Sequence, residues 1–334
     1  MANYKDIHGI NIETVSSNPD NPANGQVWYN STDQKLRANA QTTVGAWASG
    51  GNMNTARSLL MGSGIDTSSL AYGGFTSPPA TQRAETESYN GTSWTEVADL
   101  NTARNNGGSA GSSNTNALLV GGAPSAVTEQ WDGSSWTEIA DLNSPRLALG
   151  AGGTSTAALA FGGQPPNRAL TESYNGSSWT EVADLGTARN GLGGTGTQTS
   201  AIAYAGEGAA PTPKNLTETW NGSSWTEVGD LNTARISGAS SGIYTSALFT
   251  GGTLDPPVLA NCESWNGTSW TEVGDLNTAR EQFRGAGANN TLAVVFGGNP
   301  GSVDESETWN GSSWTETTDL STGRSNLAGS GTGS

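Results

Sequence analysis

Glu263–Arg280 reads ESWNGTSWTEVGDLNTAR. The same clause returns through the chain: Glu87–Arg104 reads ESYNGTSWTEVADLNTAR, and further copies close at Arg146, Arg189, Arg235 and Arg324. A clipped copy, AWASGGNMNTAR, closes at Arg57. Subtracting their numbers, the closing arginines lie 47, 42, 43, 46, 45 and 44 residues apart. Self-similarity at such a period marks a repeat architecture, in which each unit buries its apolar face only against its neighbours.

Each period has four strand-length parts. In the one opened by Arg104, a small-residue stretch (Asn105–Gly111) is followed by an apolar run ending in two glycines, ALLVGG at Ala117–Gly122. Then come Glu129–Trp131, an Asp-Gly pair, and Trp136 leading TEIADL. A Gly/Ala strand is weak alone and suits a place where backbones crowd, such as the axis of a radial array. Asn-Gly or Asp-Gly at Asn90, Asp132, Asn175, Asn221, Asn266 and Asn310 predicts a type I′ hairpin turn with positive φ at both central residues. The period therefore predicts a four-stranded antiparallel unit, and radial repetition of such units predicts a β-propeller.

An apolar run, a glycine pair (Gly73-Gly74, Gly121-Gly122, Gly162-Gly163, Gly251-Gly252, Gly297-Gly298), an aromatic and a Trp together resemble the kelch repeat. The resemblance covers residues 44–334 and implies an all-β, kelch-like propeller. Six copies are complete. Arg324–Ser334 opens a seventh, and Val44–Ser49, with Trp47, supplies only a last strand. The orphans are complementary. The expectation is seven four-stranded blades, the last closed by N- and C-terminal strands, with Gly9–Val15 and Val27–Asn30 contributing; six blades is the alternative. Residues 1–42 form an N-terminal segment that joins the closing blade or docks, with a hairpin at Val27–Asn30 and Lys35–Ala38, and residues 43–334 form the propeller.

Composition narrows the function. Net charge is −16 with 13% charged residues, so nothing suggests a basic footprint for nucleic acid or an anionic membrane. No apolar run is long enough to span a bilayer and no secretory h-region is visible. The single histidine, His8, lies outside the repeat, and Cys262 is the single cysteine. That leaves no His-based zinc site and no Ser-His-Asp triad. The expectation is no catalytic residues, no metal and no cofactor.

Residues present in every unit have a scaffold reading. Trp94, Trp136, Trp179, Trp225, Trp270 and Trp314 fill blade cores. Arg104, Arg146, Arg189, Arg235 and Arg280, with an Asp five residues before each, pin one blade to the next through an Asp–Arg or Arg–carbonyl contact. Glu87, Glu129, Glu172, Glu218, Glu263 and Glu307 are expected in inter-strand hydrogen bonds. The Asn-Gly-Ser/Thr sequons follow from the turn and need no glycan.

The units differ after each glycine pair, in Pro-containing loops such as FTSPPATQRA (Phe75–Ala84) and EGAAPTPKNL (Glu207–Leu216). Such insertions map to one face of a repeat array. Phe75, Pro78, Arg83, Gln164, Arg168, Lys214, Asp255 and Asp304 are the candidate contact residues there. GQVWYNSTDQKLR (Gly25–Arg37) resembles opening segments of tail and appendage proteins of tailed bacteriophages, and the Thr/Ser/Asn/Gly-rich style is similar to marine phage virion proteins. The resemblance implies an extracellular virion protein that contacts other virion proteins or a host-surface glycan. A lectin-like module and a glycoside-acting enzyme, the latter needing two carboxylates close together in a pocket, are the other readings.

Overall fold

The computed structural model describes residues 13–16, 27–32, 34–38, 51–65, 67–123, 125–208 and 212–329. The chain divides into two compact units, Met1–Gly45 and Ala46–Ser334. In the first, Val27–Asn30 and Lys35–Ala38 form the expected antiparallel hairpin, and Glu13–Val15 adds in parallel to Val27–Asn30. These three strands make a sheet of their own. Val44–Ser49, Trp47 and His8 lie outside the described residues.

The second unit is a β-propeller. Six four-stranded antiparallel sheets follow one another in chain order, each strand paired with its sequence neighbour. Blade I runs from Met61–Ile65 to Trp94–Glu96, blade II from Gly108–Ser113 to Trp136–Glu138, and blade III from Gly150–Thr154 to Trp179–Glu181. Blade IV runs from Gly193–Gly196 to Trp225–Glu227, blade V from Ala239–Ile243 to Trp270–Glu272, and blade VI from Arg284–Asn289 to Trp314–Glu316.

The second strand of each blade is its core. Ala157–Phe161 and Ala201–Tyr204 are almost wholly buried. The inner strands run beside one another around the axis, which explains their small residues. A Cβ on Gly150 would stand 2.3 Å from the Phe161 ring, and one on Gly152 would stand 2.7 Å from the Gly196 carbonyl of the next blade. The third and outer strands face each other through aromatic pairs. Trp131 and Trp136 have ring centroids 5.5 Å apart, and Tyr174 and Trp179 5.1 Å. The outer tryptophan also reaches back one blade: Trp136 Nε1 donates to Thr86 Oγ1, Trp225 Nε1 to Thr171 Oγ1 and Trp270 Nε1 to Thr217 Oγ1, each at 2.9 Å.

The turn joining these two strands differs from the expected type I′. Four residues, Asn175 to Ser178, separate the paired Tyr174 and Trp179, and only Gly176 has positive φ, at 92°. Asn175 Oδ1 takes the amides of Ser177 and Ser178 at 2.9 and 3.0 Å, so the side chain organises the turn. In blade II the Ser135 and Ser134 amides and the Ser134 hydroxyl hold the Asp132 carboxyl at about 2. The sequon asparagines are thus structural elements of the turn.

Six of the seven repeat arginines have buried side chains, and each of these clamps the chain that crosses into a blade. Arg104 pairs with Glu129, Arg146 with Glu172, Arg189 with Glu218, Arg235 with Glu263 and Arg280 with Glu307; Arg57 pairs with Glu87 at 3.2 Å. Arg146 Nη2 is 2.9 Å from Glu172 Oε1, and its Nη1 donates to the Leu170 carbonyl at 2.7 Å. The glutamate also takes backbone amides of the crossing loop, as Glu172 Oε2 does from Asn143 at 2.7 Å. The expected Arg–carbonyl contact is present. The expected Asp–Arg contact is not: each repeat aspartate stays within its own blade, where Asp184 Oδ1 accepts the Thr171 amide at 3.0 Å. The glutamates bind between blades rather than between strands, because only the crossing loop offers a cation and free amides.

A second ring sits two residues after each arginine. Leu59, Asn106, Ala148, Gly191, Ser237, Gln282 and Asn326 all have positive φ, between 51° and 59°. The amide of Asn106 donates to the Leu59 carbonyl, Ala148 to Asn106, Gly191 to Ala148, Gln282 to Ser237, and Asn326 to Gln282. The amide of Leu59 then donates to the Asn326 carbonyl at 3.0 Å. The axis therefore has seven places. Six hold complete blades among the described residues, and the C-terminal segment around Asn326 takes the seventh.

Two stability outcomes follow. Glu172→Ala strands a buried guanidinium and is expected to cost about 3–5 kcal/mol, read from the urea midpoint, while exposed Glu181→Ala should stay within about 0.5 kcal/mol. Blade IV has Gly186 where the other clamps have an asparagine, so Glu218 receives only the backbone amide there. A Cβ at Gly186 has room, its nearest neighbour being Glu218 Oε2 at 3.4 Å. Gly186→Asn is expected to stabilise by up to about 1 kcal/mol in the same measurement.

Candidate functional site

Antiparallel order puts two sets of connections on one face: those from second to third strand, after the glycine pairs, and those that carry the clamp arginines between blades. The two sets are hydrogen-bonded together. Leu147 bridges Gln164, Asn190 bridges Glu207, Ile236 bridges Thr253, and Glu281 bridges Asn299. The glycine pair makes this possible. Gly162 and Gly163 have φ of 67° and 106°, and the Gly163 amide donates to the Arg189 carbonyl. The variable loops therefore rise from a fixed collar around the axis.

The candidate contact residues occupy this collar and the loops above it, spread over five blades. Phe75 is half-buried, starts a two-residue strand paired with Thr81–Gln82, and bridges Ser58. Pro78 is exposed at the tip of that hairpin. Arg83 is paired with Glu85, and Arg168 Nη2 donates to the Pro165 carbonyl at 3.0 Å. Both basic groups are thus partly spent on their own loops. Lys214 Nζ donates to Thr212 Oγ1. Asp255 and Asp304 are exposed. In blade V the segment after the glycines is largely strand, since Ser246–Thr253 and Val258–Trp265 extend the blade outward and leave a short connection that carries Asp255.

Gln164 alone among these eight residues lines the axial cavity, which has a volume of about 570 Å³. Its wall is mostly backbone and small residues, with Asn106, Asn190, Glu207, Gln282 and Arg284 among the larger side chains. A smaller recess of about 200 Å³ shares Gly194, Ser240, Gly285 and Gly329 with it. Glu281 at the collar has its carboxyl raised above the usual value by burial and then by the Asp255 carboxylate.

Sequence reasoning did not reach the seven positive-φ positions that frame the cavity. Leu, Asn, Ala, Gly, Ser, Gln and Asn fill them, and no shared residue type marks them. The threonines that take the tryptophan indoles did leave a signal: Thr86, Thr171 and Thr217 each directly precede a repeat glutamate, as does Thr128, whose Oγ1 has no partner among the described residues.

Cys262 stands in that threonine position in blade V. It is fully buried, and burial lifts its thiol to about 12. A thiol so placed is a packing group rather than a nucleophile. Among the described residues no three His, Cys, Asp or Glu side chains gather as a metal cluster. No helix is long and apolar enough to cross a membrane. No family model matches the chain, and no curated protein matches it. The blade architecture is consistent with a kelch-type repeat fold.

The cysteine reading has a direct check. Native protein is expected to be inert to an aromatic disulfide reagent at pH 8, with one equivalent reacting once denaturant is added. Cys262→Thr should fold and bring the Trp314 indole into the bond that Trp270 makes with Thr217.

Proposed function

We propose that this chain is a non-enzymatic structural protein of a bacteriophage virion, part of a tail, fibre or other appendage. Its propeller holds variable loops for contact with another virion protein or with the host surface. The observation that carries this reading is the division of labour along the chain. Turn asparagines, clamp pairs and aromatic pairs recur blade after blade, while the segments after the glycine pairs differ and share one face. A scaffold that repeats and loops that do not are what a rigid presenting platform needs, since a pre-ordered loop loses less entropy on contact. The Gly25–Arg37 segment, with its likeness to phage appendage proteins, supports the setting, and the kelch-like order of motifs supports the scaffold. The acidic, lysine-poor composition disfavours nucleic acid as a partner.

Antibody raised against the recombinant full chain is expected to decorate an appendage of the tailed particles whose genome encodes it, seen by negative-stain electron microscopy. Particles left bare both intact and after mild disruption, with the antigen in the infected-cell lysate instead, would overturn the virion assignment. Hydrolysis of a glycan by the purified chain, abolished by a substitution at a collar carboxylate such as Glu281→Gln, would overturn the non-enzymatic one.

A further inference from the structure

The fourth residue after each of the six paired arginines opens an inner strand, and Ala328 holds the same place after Arg324. At six of the seven places it is Met61, Gly108, Gly150, Gly193, Ala239 or Ala328, all apolar and all but one small. The packing demands this, as the close approaches at Gly150 and Gly193 show. In blade VI the residue is Arg284, which lines the axial cavity and is half-buried.

Arg284 is unlike the clamp arginines. Its Nη1 donates to the carbonyl of its own neighbour, Phe283, at 3.0 Å. Among the described residues it has no carboxylate partner, whereas Arg57 and the five clamp arginines of blades II to VI each have one. Burial alone draws its guanidinium below the ordinary value, with no neighbouring carboxylate offsetting that loss. A half-buried, unpaired guanidinium in a chain of net charge −16 carries a desolvation cost that the fold leaves uncompensated.

Beside it in the same cavity is Gln282. Its Oε1 accepts from Asn299 Nδ2 at 2.7 Å and from Asn326 Nδ2 at 3.1 Å. That orientation leaves its Nε2 donor without a partner among the described residues. One carboxylate, Glu207, also lines the cavity, on the blade IV side. The volume of about 570 Å³ suits a small ligand, and the wall combines backbone and amide groups with the apolar side chains of Leu59, Leu149, Leu192, Ile236 and Phe249.

We propose that the axial cavity is a binding site for a carboxylate-bearing sugar, with the acid group on Arg284 and hydroxyls on amide groups such as Gln282 and Asn106. Arg284 supplies charge and a planar two-donor fork that matches a carboxylate. Gln282 Nε2 supplies a neutral donor for the ring oxygens. This site lies inside the collar, below the loop tips, and it stands whether or not those loops form an attachment surface.

The test is titration of the full chain with sodium D-glucuronate and, separately, D-glucose, followed by isothermal calorimetry and by saturation-transfer difference NMR. Glucuronate is expected to bind and to weaken as salt rises, with glucose at least about tenfold weaker. Arg284→Ala is expected to weaken glucuronate about tenfold or more, and Arg284→Lys less. Ala239 occupies the same place in blade V, so Arg284→Ala should fold, with an unchanged far-UV spectrum. No glucuronate binding to the native chain, equal binding of glucose, or undiminished binding by a folded Arg284→Ala protein would each overturn the proposal. The comparison of the two sugars on the native chain decides it even if the variant fails to fold.

Discussion

The buried arginine–glutamate pair holds the propeller together. Desolvating two charges costs several kcal/mol, and attraction offsets this only when the remaining donors and acceptors are also satisfied. The clamp meets most of that condition, the exception being the guanidinium Nε, which at Arg57, Arg104, Arg146, Arg189 and Arg235 is buried without a partner among the described residues. Arg146 spends its fork on Glu172 and on three carbonyls of the blade it enters, and Glu172 spends its second oxygen on the Asn143 amide and side chain. One pair thereby fixes the crossing loop, the start of the inner strand and the third strand of the receiving blade. Register between blades follows, and with it the meeting of Trp136, Trp225 and Trp270 with the threonine one blade back.

The axial ring depends on the clamp. Six non-glycine residues at positive φ each cost about 1 kcal/mol or more in isolation. They are tolerated because the clamp two residues earlier has already set the chain's direction, and because each strained residue gains a hydrogen bond to the next place around the axis. Strain and bond come as a unit, repeated at each place, and the result is a collar too stiff to adjust to whatever sits above it.

Much of this was legible because the same local problem is solved six times. The Asn-Gly pairs located the turns, the apolar runs located the second strands, and the spacing of the arginines gave the radial period. What stayed hidden was what repetition cannot disclose. The type I′ expectation at Asn175 failed because dipeptide preference does not report how many residues separate the last cross-strand pair, and the Asn side chain does the work assigned to its backbone. The partner of each arginine was misread because its aspartate is five residues away and its glutamate more than twenty; sequence distance favoured the wrong carboxylate. Leu59 and Gln282 gave no hint of left-handed backbone, since long-range hydrogen bonds and not residue type decide it. At the collar, Gln164 could be singled out as variable but not as axial.

Cohesion around the ring is unequal, and the inequality has a physical origin. Five apolar clusters, each shared by two adjoining blades, join I to II through V to VI among the described residues. Between VI and I the described residues form no such cluster, and Trp94, the outer tryptophan of blade I, is half-exposed where Trp136, Trp179, Trp270 and Trp314 are buried. Arg324, the seventh repeat arginine, is exposed and forms no ion pair among the described residues; its Nε donates to the Thr322 carbonyl at 3.3 Å. Backbone bonds carry the joint there, with Asn326 reaching Gln282 on one side and Leu59 on the other.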